Sequence, residues 1–143
     1  MGELATSRSA LMSIHPVYAT AIMSGQKTVE FRKRRLADDI TTVWVYATAP
    51  VQAVVGWFQI EEVIEDSPAS LWRQFGEVGC INRSEFDKYY KAHTSGVGIR
   101  IGKVAEFDSP LNLSSVVASG VPPQSFLYIN DAVLNELHAS LAE

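Results

Sequence analysis

Hydrophobic positions along the chain switch repeatedly between a period of two and a period near 3.6, and the switches mark out the elements. Leu11 to Ile14 reads as a short apolar strand that turns at His15-Pro16. Proline suits the first helical position, where its missing N–H is no loss. A helix is therefore expected from Pro16 to about Ser24, with Gly25 ending it in a left-handed cap. The period then changes. Over a strand at roughly 28–33, Thr28, Glu30 and Arg32 share one face while Lys27, Val29 and Phe31 share the other.

The alternation resumes after a turn at Ala37-Asp38-Asp39. Thr42 to Thr48 puts Val43, Val45 and Ala47 on one side and Trp44, Tyr46 and Thr48 on the other. Val51 to Glu65 is a long strand rich in Val and Ile, and Gly56 in its middle predicts a bulge or a close backbone approach. The parity of Val54, Phe58 and Ile60 makes Glu62 core-facing and Glu61 its opposite. Ser67-Pro68 opens a helix carrying Leu71, Trp72 and Phe75 that stops near Gly76. Asn82, with Glu85 three residues on, opens another whose apolar stripe is Phe86, Tyr89 and Tyr90. Val97 to Phe107 is a strand with Val97, Ile99 and Ile101 toward the core; Gly98 and Gly102 leave room on the other face, and Ser109-Pro110 breaks it. A helical turn within Leu111–Ala118, a stiff Val121-Pro122-Pro123 and a strand from Ser125 to Ile129 follow. Asn130 or Asp131 caps a final helix bearing Leu134, Leu137 and Leu141. Strands separated by short helices, with no βαβ rhythm, predict an α+β fold built on a small, mostly antiparallel β-barrel with the Pro16–Ser24 helix packed on it.

Composition narrows the class. The chain has 143 residues, 47% hydrophobic and 20% charged, the profile of one ordered domain. Residues 1–10 read as a flexible lead-in and 11–143 as the domain. A net charge of −4 excludes nucleic-acid binding by bulk attraction, so any such binding needs a local patch. Five of the 12 basic residues, Lys27, Arg32, Lys33, Arg34 and Arg35, fall within nine positions and build one. The single cysteine, Cys80, suits a reducing compartment. No apolar run is long enough to span a bilayer, and the first ten residues carry no apolar signal region. The expected location is the cytoplasm, with no membrane partner. His15, His93 and His138 show no metal-ligand spacing with Cys80, so neither metal nor cofactor is expected.

Several groups carry candidate chemistry, and each has a plainer reading beside it. Glu30 and Arg32 leave one strand face together and converge with Lys27 at the strand's entry; the alternative is a salt-bridged surface. Lys33, Arg34 and Arg35 form either a phosphate-contacting strip or a solvated loop guarding a strand edge. Trp44 and Tyr46 share a face on which a flat base could stack, unless that face is core. Gln124 and Ser125, on the stiff Pro122–Phe126 segment, offer hydrogen bonds to a base edge or simply connect two layers.

The run Gly25-Gln26-Lys27-Thr28-Val29-Glu30-Phe31-Arg32 resembles the G-x-K-x-x-E-x-R signature of the ASCH domain, a PUA-like β-barrel family. Leu11 to Pro16, Tyr46-Ala47-Thr48-Ala49-Pro50 with Gly56-Trp57, Ser67-Pro68 with Leu71-Trp72, and Pro122 to Phe126 extend the likeness over roughly residues 11 to 129. The resemblance implies a binding cleft with the signature on one side and the Pro122–Phe126 edge on the other. It implies an RNA-binding or modified-nucleotide-binding protein whose partner is RNA or a small nucleotide or nucleoside. The alternative within the family is a metal-independent hydrolase, either a ribonuclease or an amidohydrolase of acylated cytidine; a regulatory protein acting through protein contacts is a third reading. Catalytic candidates are then Lys27, Glu30 and Tyr46, and ligand-binding candidates Lys27, Glu30, Arg32, Lys33, Arg34, Arg35, Trp44, Tyr46, Gln124 and Ser125. One departure bears on mechanism. Amidohydrolase-like members carry a nucleophilic Thr two before the signature Arg, where this chain has Glu30, and Thr28 is not at that position.

Overall fold

A computed structural model describes residues 8–130. The chain runs β1 (Arg8–Ile14), α1 (Pro16–Met23), β2 (Val29–Arg32), β3 (Thr42–Ala47), β4 (Ala53–Asp66), α2 (Pro68–Phe75), α3 (Arg83–Tyr89), β5 (Gly96–Leu111), a 3-10 turn at Leu113–Ser115, and β6 (Phe126–Asn130). β1 begins at Arg8, inside the stretch expected to be a lead-in, and Ser9 and Ala10 are buried in it. The expected C-terminal helix lies outside the described residues.

The six strands form one sheet in the order β2-β5-β4-β3-β1-β6. Two expectations are corrected here. The sheet is mixed, because β1 lies parallel to β3. A parallel neighbour needs a crossover connection, and α1 with β2 supplies it. The sheet is also not closed into a barrel. Among the described residues, β2 has four residues and pairs only with β5, while β6 pairs only with β1, so these two edges carry no ladder between them.

Local chemistry explains the helices. Pro16 starts α1, and Gly25, at φ +87°, takes the left-handed turn after it. The Ser67 hydroxyl accepts the Ser70 N–H at 3.2 Å to cap α2, and the Asn82 side chain accepts the Glu85 N–H at 2.8 Å to cap α3.

Strand alternation sorts the apolar side chains into three clusters. Met12, Val45, Phe58 and Ile99 belong to a central one beneath α1. On the sheet's other face, Leu11, Trp44, Tyr46 and Val54 pack with the 3-10 turn, and Phe31, Leu71, Phe86 and Tyr90 pack under α2 and α3. The space left by Gly98 is filled by α2, since a side chain there would lie 3.4 Å from Leu71 and Phe75.

Bulges re-aim the long strands. The register of β4 against β5 shifts between Val54 and Gly56, Phe58 and Ile60, and Ile60 and Glu62. A Cβ on Gly56 would fall 2.3 Å from the Ala105 carbonyl, so this crossing excludes any side chain. Phe58 faces the central cluster and so does Val63, five residues later, which simple alternation forbids. The shift therefore reverses the expected parity. Glu62 is exposed and paired with Arg100 at 2.9 Å instead of facing the core. β5 also continues to Leu111 rather than ending at Ser109-Pro110. Glu106 lies opposite Gly56 and Leu111 opposite Val54, so Pro110 sits in an extra stretch where no ladder N–H is required.

Candidate functional site

β2 is short but keeps its two-residue period. Glu30 and Arg32 stand opposite Ile99 and Val97, both in the central cluster, and so point to that face. Lys27 is held just before the strand: its N–H donates to the Ala21 carbonyl at the end of α1, at 3.0 Å. These three side chains meet. The Lys27 ammonium donates to the Gly79 carbonyl and lies 3.4 Å from Glu30 Oε1, with the Tyr18 ring at 5.2 Å and the Phe31 ring at 5.7 Å. Arg32 reaches the other carboxylate oxygen, Oε2, at 3.1 Å. Its guanidinium continues to the Ser13 carbonyl at 3.4 Å and the Ser125 hydroxyl at 2.5 Å. One side chain thus spans the gap between the β2 edge and the β1–β6 edge.

The side chains of Lys27, Glu30 and Arg32 are 3%, 8% and 12% exposed. Moving such charges out of water costs several kcal/mol each unless partners return it. Here they do, since no buried side-chain nitrogen or oxygen among the described residues lacks a partner. Tyr90, from the neighbouring cluster, adds a bond from its hydroxyl to the Arg32 carbonyl at 2.8 Å.

Above this floor lies a cavity of about 130 Å³, lined by Ser13, Ile14, His15, Tyr18, Lys27, Glu30, Phe31, Arg32, Ile81 and Tyr89. It is walled mostly by aromatic and aliphatic groups and floored by charge. It shares Arg32 and Tyr89 with a recess formed by Arg32, Lys33, Arg34, Tyr89, His93, Gln124 and Ser125. It shares His15, Tyr18, Ile81 and Tyr89 with a second recess, formed by those four with Val17, Glu85 and Lys88. Tyr89 belongs to all three. Burial pushes the Tyr89 hydroxyl's pKa up, with Arg32 opposing and Glu30 adding to the shift. Tyr18 is likewise raised, first by burial and then by the carboxylates of Glu85 and Glu30.

The structure places Lys27, Glu30 and Arg32 in the lining of the cavity, and Arg32, Lys33, Arg34, Gln124 and Ser125 in the lining of the recess that shares Arg32 and Tyr89 with it. It does not bring in the rest. Arg35 turns to Asp38 at 3.3 Å and Glu65 at 3.8 Å. Trp44 and Tyr46 are 1% and 4% exposed in the cluster with Leu11 and Val54, on the other face of β3 from the central cluster. The expected single pocket joining Tyr46 to Lys27 is therefore not formed. Sequence reasoning missed Tyr18, Ile81 and Tyr89. A signal for Tyr89 existed: Tyr89 and Tyr90 are adjacent, about 100° apart on a helix, so one apolar stripe cannot bury both equally.

Among the described residues, no group of three or more His, Cys, Asp or Glu side chains is placed to hold a metal ion. Nor is any helix among them long and apolar enough to cross a membrane.

Comparison with known proteins places the chain. It is 28% identical over 133 residues to an ASCH domain-containing ribonuclease of Zymomonas mobilis subsp. mobilis, covering 90% of this chain and 89% of that protein. The crystal structure of ASCH from Zymomonas mobilis superposes with a TM-score of 0.85 at 27% identity, over 92% of this chain and 94% of the other. A mutant of the Zymomonas protein with a serine replaced by alanine superposes at 0.84, over 92% of this chain and 95% of that one, again at 27% identity. The ASCH domain model matches residues 12–105, a span that contains the whole Lys27–Glu30–Arg32 cluster, and the chain belongs to the ASCH domain family.

Proposed function

We propose that this protein binds RNA, taking one base into the Lys27–Glu30 cavity and the adjoining phosphate against Lys33 and Arg34. The observation that carries this reading is the pairing of the two spaces. A small cavity with aromatic walls and a charged floor shares Arg32 and Tyr89 with a recess that also bears Lys33 and Arg34. Flat rings gain from aromatic walls, and phosphates gain from cations through counterion release. The Glu30 carboxylate accepts base N–H groups, and Gln124 with Ser125 adds donors and acceptors at the rim. The relative of Zymomonas, an ASCH domain-containing ribonuclease, supports RNA as the ligand class.

That relative also favours a second reading, in which bound RNA is cleaved. The ribose 2′-oxygen would attack phosphorus as Glu30 takes its proton, and the P–O5′ bond would break as Tyr89 protonates the leaving oxygen. Arg32, Lys33 and Arg34 would hold the phosphate's charge. The product is a 2′,3′-cyclic phosphate. Tyr46, on the other face of β3, has no part in this scheme.

The test is anisotropy of a labelled single-stranded RNA at two ionic strengths. Binding should weaken steeply with salt, and less steeply in the double variant Lys33→Gln/Arg34→Gln, with Lys91→Gln as the unchanged control. No binding at low salt, or a flat salt response, refutes the reading. Product analysis on RNA and on its 2′-deoxy counterpart decides whether turnover follows.

A further inference from the structure

The base cavity is not a dead end. Two recesses share lining residues with it, and Tyr89 is the wall common to all three spaces. One recess carries Lys33 and Arg34. In the other, α3 presents Glu85 and Lys88, one helical turn apart and both exposed. A free nucleoside would fill the cavity and leave both flanks to water. A nucleotide with only one phosphate would use the Lys33–Arg34 side alone. A chain entering by one recess and leaving by the other would use everything the cleft offers.

We propose, resting on the RNA-binding reading above, that the ligand is an internal nucleotide of a single strand, and that the cleft spans three consecutive nucleotides. The central base occupies the Lys27–Glu30 cavity. One flanking phosphate lies against Lys33 and Arg34, and the other against Lys88. Glu85 repels phosphate, so it falls to the sugar: its carboxylate accepts the 2′-hydroxyl of the nucleotide on the Lys88 side, the group by which a protein tells RNA from DNA. Tyr89 separates the two flanks and offers an edge to the central base. Lys33 already sits 4.5 Å over its ring, which fixes that wall from the phosphate side.

A duplex does not fit this arrangement. The central base must leave its stack to enter a cavity of about 130 Å³, and only an unpaired strand gives it up cheaply.

The experiment compares four probes on the intact protein: a ribonucleoside monophosphate, the same nucleotide carrying phosphates at both its 5′ and 3′ ends, a ribotrinucleotide, and the matching deoxyribotrinucleotide. The trinucleotide should bind about 30-fold more tightly than the monophosphate, from one more phosphate contact and added stacking. Lys88→Gln should cut that ratio several-fold, and Lys91→Gln should leave it unchanged. The deoxy trinucleotide should bind about 10-fold more weakly, and Glu85→Ala, which removes the acceptor, should close most of that gap. A monophosphate that binds as tightly as the trinucleotide overturns the three-nucleotide span while leaving RNA binding in the cavity intact. A trinucleotide ratio untouched by Lys88→Gln removes the second phosphate site, and equal binding of ribo and deoxy probes removes the Glu85 assignment. If none of the four probes binds at low salt, the RNA-binding reading itself has failed.

Discussion

Glu30–Arg32 on β2 and Glu62–Arg100 across β4 and β5 are both carboxylate–guanidinium pairs, at 3.1 Å and 2.9 Å. By distance the second is the better. By exposure they belong to different worlds: the side chains of the first are 8% and 12% exposed, those of the second 55% and 44%. Water screens the outer pair, so holding two long side chains together there gains little. The inner pair is different, because each charge depends on its partners for solvation. Breaking it strands a charge, whereas replacing the whole set with packed hydrocarbon is often neutral or favourable. A buried charge network at the foot of a cavity is thus weak evidence for stability, and the RNA-binding reading proposed above gives it a different use.

The strongest way to break this contrast is Glu30→Ala. It leaves Lys27 and Arg32 facing each other without their shared carboxylate, and should cost about 3–5 kcal/mol in urea unfolding. The sharper version replaces the set as Lys27→Met/Glu30→Leu/Arg32→Met. This variant should recover most of that stability while losing RNA binding altogether. A triple variant that still binds RNA would show the charges to be structural only.

Next in size is Ser125→Ala. It removes the hydroxyl that Arg32 meets at 2.5 Å and should cost about 1.5–3 kcal/mol, as for a hydrogen bond to a charged group. Tyr90→Phe should cost about 1 kcal/mol, from the bond to the Arg32 carbonyl. It also carries a pH signature. Burial, first, and the neighbouring Tyr89 raise the Tyr90 hydroxyl well above the usual phenol range. A raised folded-state value means that its contribution is fully present below the unfolded phenol value of about 10 and is lost as pH rises through the folded value. The wild-type protein should therefore lose stability above about pH 10 more steeply than Tyr90→Phe, by chemical unfolding across that range. The smallest effect belongs to the outer pair: Glu62→Gln should leave the urea midpoint within measurement error, and a large drop would erase the contrast.

What was legible in the sequence follows the same division between local and distant causes. The β2 period put Glu30 and Arg32 on one face, and the capping residues Ser67 and Asn82 marked where α2 and α3 begin, because those effects act within a few residues. Glu62 was misread because the register shift between Ile60 and Glu62 is decided by the partner strand. Closure into a barrel was expected and does not occur, since a strand's second neighbour is not written in its own alternation. Tyr46 looked like a cleft residue from its aromatic character, yet β3 turns it toward Leu11 and Val54. Tyr89 looked like core, and only its neighbour Tyr90 took that role.

The contacts that finish the site join residues far apart in the chain. Lys27 meets Gly79 across 52 residues, Arg32 meets Ser125 across 93, and the Ser13 hydroxyl meets the Pro123 carbonyl across 110. Each requires a loop of that length to close, and loop entropy makes such contacts the slow ones to form. The cleft is therefore expected to be completed late in folding, after the helices, whose contacts are local. A partly folded chain would then hold its helices and bind nothing. In refolding experiments, ligand binding should recover no earlier than the slowest structural phase, and recovery ahead of it would place the site in an early-forming unit instead.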